Sequence, residues 1–438
     1  MSVKANGYLN LRLESSQPRE DVPLGKISEM PPLTGQLEWN LQLKVPQTIR
    51  TDAYADLSFL TSNYAGDGNP LLPSLRRNAV ALNELVENVS LHEHLTLLAG
   101  KKRIVWGSGF AANPTDLLNP AKDVSDPTLQ RAGAWLAEIE APFAAGAVSA
   151  FFAPRVFTTQ GSLPSRFLME SKTRSAFLAG ARIYALVRNS DINLMAFHNE
   201  RDDDPPVRRD SLGFSFSRYF FTDYEFHVEA LGQRGSSHRA LTASCVSGDG
   251  LRLVACAAPG PPDVYTTPDL TISRAYGRVL AGTRYAFHDS SILNMEYLWN
   301  GEGLDRRAFE DRVRLFRLIR VLQDSGFGST PGAAAGLSSL LGGGSDAGST
   351  RLSFEPVRRH YLFASYVKPQ IRDDFTLTLT LLDSLEDRSG IGSASVAWSV
   401  REWVTVSLFA VAPFGGVGTE FGDSPQRFRV SFETKLFY

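Results

Sequence analysis

Residues 36–45 alternate without a break. Leu37, Trp39, Leu41, Leu43 and Val45 fall on one side, and Glu38, Asn40, Gln42 and Lys44 on the other. A helix repeats every 3.6 residues and cannot keep that period, whereas successive side chains of a strand point to opposite faces. The same rhythm sets Leu9, Leu11 and Leu13 against Asn10, Arg12 and Glu14. It sets Leu293, Met295, Tyr297 and Trp299 against Asn294, Glu296 and Asn300, and Phe375, Leu377, Leu379 and Leu381 against Thr376, Thr378 and Thr380. The pattern predicts an all-β chain of half-buried strands.

Such segments lie near 6–14, 35–45, 49–62, 81–91, 95–107, 131–141, 145–155, 174–187 and 191–200. They continue near 210–221, 224–234, 274–287, 291–300, 357–368, 374–383, 391–400, 403–413 and 427–438, eighteen in all. Most span nine to fourteen residues. A tilted strand needs about nine to eleven residues to cross a bilayer, while strands of soluble sheets usually run about five or six.

The connections alternate as well. Pro46-Gln47-Thr48, His92-Glu93-His94, Asn189-Ser190, Thr222-Asp223, Asp289-Ser290 and Arg401-Glu402 are tight. The intervening 15–34, 63–80, 108–130, 156–173, 235–273 and 301–356 are long. Tight turns at one end and long loops at the other predict a transmembrane antiparallel up-and-down β-barrel with short periplasmic turns and long extracellular loops. Both chain ends then lie on the turn side, and residues 1–438 form a single barrel domain.

Composition is compatible with this. The 438 residues are 43% hydrophobic and 21% charged, with mean hydropathy −0.14. No run approaches eighteen apolar residues, so no transmembrane helix is expected. A net charge of −2 argues against a nucleic-acid partner. Met1-Ser2-Val3-Lys4 leads straight into strand, so the numbering is expected to begin after removal of a secretory leader. Cys245 and Cys256 are a disulfide candidate in an oxidising compartment, with two unrelated thiols as the alternative.

An Arg or Lys facing lipid at mid-bilayer costs about 2–4 kcal/mol, so the polar faces are assigned to the lumen. The candidate pore-lining residues are Arg12, Glu38, Lys44, Glu138, Arg182, Glu229, Arg278, Arg284, Glu296 and Arg429. Both signs are present, which predicts no strong ion selectivity. Trp39, Trp106, Trp135, Trp299, Trp398 and Trp403 all fall in predicted strands, several near strand ends, where interfacial aromatics belong. In the long loop 301–356, Phe309, Val313, Phe316 and Ile319 recur at helical spacing among arginines. A short amphipathic helix carrying Arg312, Phe316 and Arg320 is the candidate constriction, or else lies against lipopolysaccharide or other loops. The seven histidines show no spacing with a nucleophilic serine. No enzyme, cofactor or metal is expected. Glu420 and Asp423 read as solvated loop.

The run Lys101-Lys102-Arg103-Ile104-Val105-Trp106-Gly107 is followed by Asn113-Pro114-Thr115-Asp116-Leu117-Leu118-Asn119-Pro120. It resembles a stretch of porin-like outer-membrane proteins in which a strand ending in Trp-Gly leads to an Asn-Pro-x-Asp loop. In strand number and loop layout the chain is similar to the eighteen-stranded polysaccharide-export barrels of the alginate-export and myxobacterial exopolysaccharide-export type. Phe428, Val430, Phe432, Leu436 and Tyr438 share a face, interrupted by Thr434, and resemble the carboxy-terminal signature read by the barrel-assembly machinery. The resemblance implies the outer membrane of a Gram-negative bacterium, and lipid bilayer and lipopolysaccharide as partners. It further implies a passive conduit for a neutral or mixed-charge polysaccharide, fed by a separate periplasmic export protein. The alternative is a general or substrate-selective porin for small solutes.

Overall fold

The computed structural model describes residues 3–19, 33–46, 51–62, 78–104, 106–119, 133–154, 177–201, 207–235, 275–310, 313–314, 357–372, 374–424 and 426–438. The strands are β1 (Lys4–Pro18), β2 (Leu33–Pro46), β3 (Thr51–Ser62), β4 (Asn78–His92), β5 (Leu95–Lys102) and β6 (Ala134–Phe143). Then come β7 (Gly146–Pro154), β8 (Phe177–Val187), β9 (Ser190–Arg201), β10 (Val207–Phe220), β11 (Tyr224–Arg234) and β12 (Ala275–Ala286). The last are β13 (Ile292–Asn300), β14 (His360–Ile371), β15 (Phe375–Ser384), β16 (Ser389–Arg401), β17 (Val404–Phe414) and β18 (Gln426–Phe437). Each pairs antiparallel with its sequence neighbours in one 18-stranded sheet, and β1 pairs with β18, so the barrel closes.

Closure leaves no edge, and every strand finds backbone partners on both sides. The seam is reinforced beyond the ladder. Gly7 N–H donates to the Tyr438 carbonyl and Tyr438 N–H to that of Gly7, at 3.2 and 3.1 Å. The Tyr438 hydroxyl reaches across β1 to donate to the Asn40 carbonyl at 2.8 Å and accepts from the Trp39 indole N–H at 2.7 Å. That crossing requires a residue without a side chain at position 7. A Cβ there would lie 2.1 Å from the Asn40 oxygen and 2.6 Å from the Tyr438 hydroxyl.

Pairing register sorts the faces. On β13 the exposed Met295, Tyr297 and Trp299 point outward, while Asn294, Glu296, Leu298 and Asn300 are buried inside. Leu37, Leu194, Leu212, Leu379, Leu381 and Leu408 continue the exposed apolar belt around the barrel. At its turn end stand Phe143, Phe220, Phe221, Tyr285, Phe287, Trp403 and Tyr438, and near its loop end Phe152, Trp299, Phe414 and Phe428, all exposed. A continuous apolar belt of this kind greatly exceeds the few hundred Å² that a soluble monomer tolerates.

Two sequence expectations need correction. The strand expected over 95–107 stops at Lys102. Gly100 takes a positive φ of 132° beside the β4 backbone, and the Arg103 amide donates to the Glu84 side chain at 2.9 Å instead of continuing the ladder. Trp106 is consequently not interfacial; it is buried inside the barrel. Glu420 and Asp423 are not solvated either. Glu420 accepts from the Tyr361 hydroxyl and the Val357 amide, and Asp423 is buried and accepts from the Gly418 amide.

Candidate permeation site

Past β5 the chain turns into the barrel and crosses the lumen. Residues 106–119 lie between two apolar patches on the inner wall. On one side Trp106 and Leu118 are buried with Leu98, Leu136, Phe151, Leu178, Met195, Phe197 and Leu231 of β5–β11. On the other Ala111 is buried with Leu280, Leu298, Tyr361, Phe363, Leu382, Ile391, Phe409 and Val411 of β12–β17, and with Phe421 of the β17–β18 loop. The Trp106 ring meets Phe151 edge-on at 4.9 Å and Phe197 at 5.8 Å. Burying such side chains contributes roughly 1.5–3 kcal/mol each, which explains why leucines and phenylalanines occupy inward positions.

Polar contacts then fix the tip. Glu229 on β11 is 0% exposed and accepts from the amides of Gly109 and Thr115, the Thr115 hydroxyl and the Asn113 side-chain amide, at 2.7, 3.4, 2.9 and 3.2 Å. Glu296 on β13 is 2% exposed and accepts from the amides of Phe110 and Ala111 at 2.5 and 2.8 Å. His227 Nε2 stands 3.1 Å from the same Glu296 carboxylate, which fits an Nε2–H donor. Removing a carboxylate from water costs several kcal/mol, and a hydrogen bond to a charged group returns about 1.5–3. Several donors per carboxylate are therefore what the burial requires.

Glycines make the approach close enough. Gly107, at φ +93°, would place a Cβ 2.3 Å from Glu229 Oε1. Gly282 sits on β12 between His227 and Glu296 in register, and a Cβ there would meet His227 Nε2 at 2.3 Å. The missing side chain is the notch through which His227 reaches Glu296. At the roots, Arg103 pairs with Asp56 and Glu84 at 2.9 and 2.8 Å, and Asn119 bonds the Ile104 carbonyl and Asp116.

All ten candidate pore-lining residues stand in inward register, yet they do different work. Glu229 and Glu296 hold the crossing segment. Arg12 is buried with Glu14 and Glu433 at 3.5 and 3.8 Å, and Glu38 accepts from Tyr8 and Ser58. Glu138 is buried opposite Leu98 and Phe151, and Arg429 is wholly buried over the Phe409 ring. Arg278 pairs with Glu302 at 3.4 Å. Lys44 is exposed near the turn end. Arg182 lies 5.6 Å over Trp106 and 3.7 Å from Glu140, and Arg284 lies 5.7 Å over Phe110. Phe110 is 38% exposed at the tip of the segment.

Cys245, Cys256, Arg312, Phe316 and Arg320 lie outside the described residues. The start of the expected helix is present as a helical turn at 306–310, where buried Phe309 packs under Arg358 at 4.5 Å. Among the described residues, the element that crosses the lumen is 106–119. Two signals marked it in the sequence. One is the turn-forming set Gly107, Gly109, Asn113-Pro114 and Asn119-Pro120. The other is adjacent apolar pairs such as Phe151-Phe152 and Leu381-Leu382, which make both strand faces apolar and demand a dry partner inside.

The barrel is similar to OccK8 (OprE) of Pseudomonas aeruginosa, with TM-score 0.56 and 8% identity over 100% of this chain and 98% of that one. It is also similar to P. aeruginosa OpdK, solved with vanillate, with TM-score 0.53 and 9% identity over 100% and 98%. The fold is porin-like. At these identities the likeness extends to the fold alone. No family model matches the chain, and no curated protein matches it in sequence.

Proposed function

We propose that this protein is a channel of the bacterial outer membrane through which small polar solutes diffuse. The exposed apolar belt flanked by aromatic rings supports a bilayer around the barrel, with lipopolysaccharide on the loop side and the tight turns in the periplasm. On this reading β18, ending at Tyr438, is the strand offered to the barrel-assembly machinery. The observation that carries the solute reading is the crossing segment 106–119, which contacts walls far apart on the ring and narrows what an eighteen-stranded barrel would otherwise leave open.

The segment weighs against a conduit for a polysaccharide, because a polymer needs a wide continuous path and the segment stands across it. Neither an enzymatic step nor a periplasmic partner is needed for passive diffusion.

Swelling of proteoliposomes separates these readings. Monosaccharides are expected to enter and longer oligosaccharides to be excluded. Admission of long oligosaccharides, together with loss of surface polymer when the protein is removed from its cell, would reverse the preference. Complete impermeability to sugars and salts would end the channel reading.

A further inference from the structure

The crossing segment is held by two different kinds of contact. Its roots are held by Arg103, Asn119 and the buried side chains of Trp106 and Leu118. Its tip, residues 107–115, is held mainly through Glu229 and Glu296. The hydrogen bonds that the segment gives to these carboxylates come from backbone amides, a side-chain amide N–H and a hydroxyl. His227 adds another N–H to Glu296. An acceptor with negative charge fits among these donors, whereas a group carrying its own hydrogen would turn that hydrogen towards theirs.

We propose that Glu229 and Glu296 are positioning residues that set the width of the lumen. Neutralising them releases the tip and widens the path. This rests on the channel reading above. Glutamine keeps the size of glutamate but presents an NH₂ to the donors. That leaves buried donors unmatched, which is the costly outcome. Gly107 at φ +93° and Gly109 give the freed tip backbone freedom, while the roots stay packed.

The charged and titratable inner residues around the two carboxylates are Glu225 and His227 on β11 and Arg278 and Arg284 on β12. The neighbouring inner positions Ser211, Gly213, Ser215 and Ser217 of β10 bear no charge, nor do Tyr361, Phe363 and Ser365 of β14. His227 Nδ1 is buried with no hydrogen-bond partner among the described residues.

Single-channel conductance of the full chain in planar bilayers tests this. The E229Q/E296Q variant is expected to conduct about twofold or more above the native protein at pH 7, since pore width governs passage.

A tether guards against misfolding of the double variant. A Cβ on Gly213 would lie 3.3 Å from Thr115 Cγ2, within reach of a disulfide. T115C/G213C added to E229Q/E296Q, in a C245S/C256S background, is expected to conduct like the native protein when oxidised and to show the raised conductance when reduced. A folded double variant that conducts like the native protein would overturn the proposal, as would a raised conductance that survives the oxidised tether. Native protein that forms no channels would instead overturn the channel reading on which the proposal stands.

Discussion

At residue 282 the chain has no side chain, and the contact between His227 and Glu296 depends on it. Gly282→Ala would drive a methyl into the imidazole, and overpacking of this kind typically costs about 1–3 kcal/mol. The variant is expected to unfold at lower denaturant and to lose the tight hold on Phe110; an unchanged midpoint would show that the notch is not needed. Gly7 makes a parallel case at the seam. Gly7→Val would displace the Tyr438 ring from Asn40, and slower, less complete refolding into detergent micelles is the expected result. A third residue carries a pH effect. In the β12–β13 turn, hydrogen bonds from the Lys368 ammonium and from the Ser291 hydroxyl and amide hold the Asp289 carboxyl well below the usual carboxylate range. A depressed folded value means that the stabilisation is complete above the unfolded value, near 3.9, and fades as the pH drops towards the folded one. Asp289→Asn is thus expected to lower the unfolding midpoint at pH 7 and to converge with the native protein in strong acid. Midpoints that differ by the same amount at both pH values would contradict it.

Among the elements, the crossing segment depends most on one side chain. Trp106 is 3% exposed and wedged against Phe151 and Phe197. Trp106→Ala would leave a cavity costing about 3–5 kcal/mol, confined to the segment and the walls it touches. Faster proteolysis within 103–119 is expected while the barrel stays resistant; equal resistance of the segment would mean that its anchorage lies elsewhere. The strands themselves were legible in sequence because alternation reports a local property, the two sides of a pleat. Leu37 to Val45 had only one arrangement open to them. The segment left only indirect signs, and its path was illegible for the converse reason. Lys101 to Gly107 looks like a strand with a tryptophan at its end, and nothing local says that Arg103 will prefer Glu84 and Asp56, 19 and 47 residues away. Likewise Glu229 and Glu296 were readable as inward residues. Their role came from donors more than a hundred residues distant in the chain.

For the whole molecule, the decisive question is what touches the outer face, and adjacent residues on one strand answer it. On β17, Leu408 points outward and is 52% exposed, while Ser407 points inward opposite Glu433 of β18. In water, replacing an exposed leucine by lysine normally changes stability by no more than about 0.5 kcal/mol, since both states remain solvated. In a bilayer the same change buries an ammonium in hydrocarbon and costs about 2–4 kcal/mol near the midplane. The environment therefore sets the sign of the comparison between neighbours. Leu408→Lys is expected to impair folding into phospholipid vesicles by that amount. Ser407→Lys is expected to fold normally, its charge being met by lumen water and by Glu433, and to shift ion selectivity towards anions. The measurement is a pair of urea unfolding curves in vesicles with reversal potentials across planar bilayers. If Leu408→Lys costs no more than Ser407→Lys, no hydrocarbon surrounds the barrel, and the belt of exposed leucines must be covered by another surface.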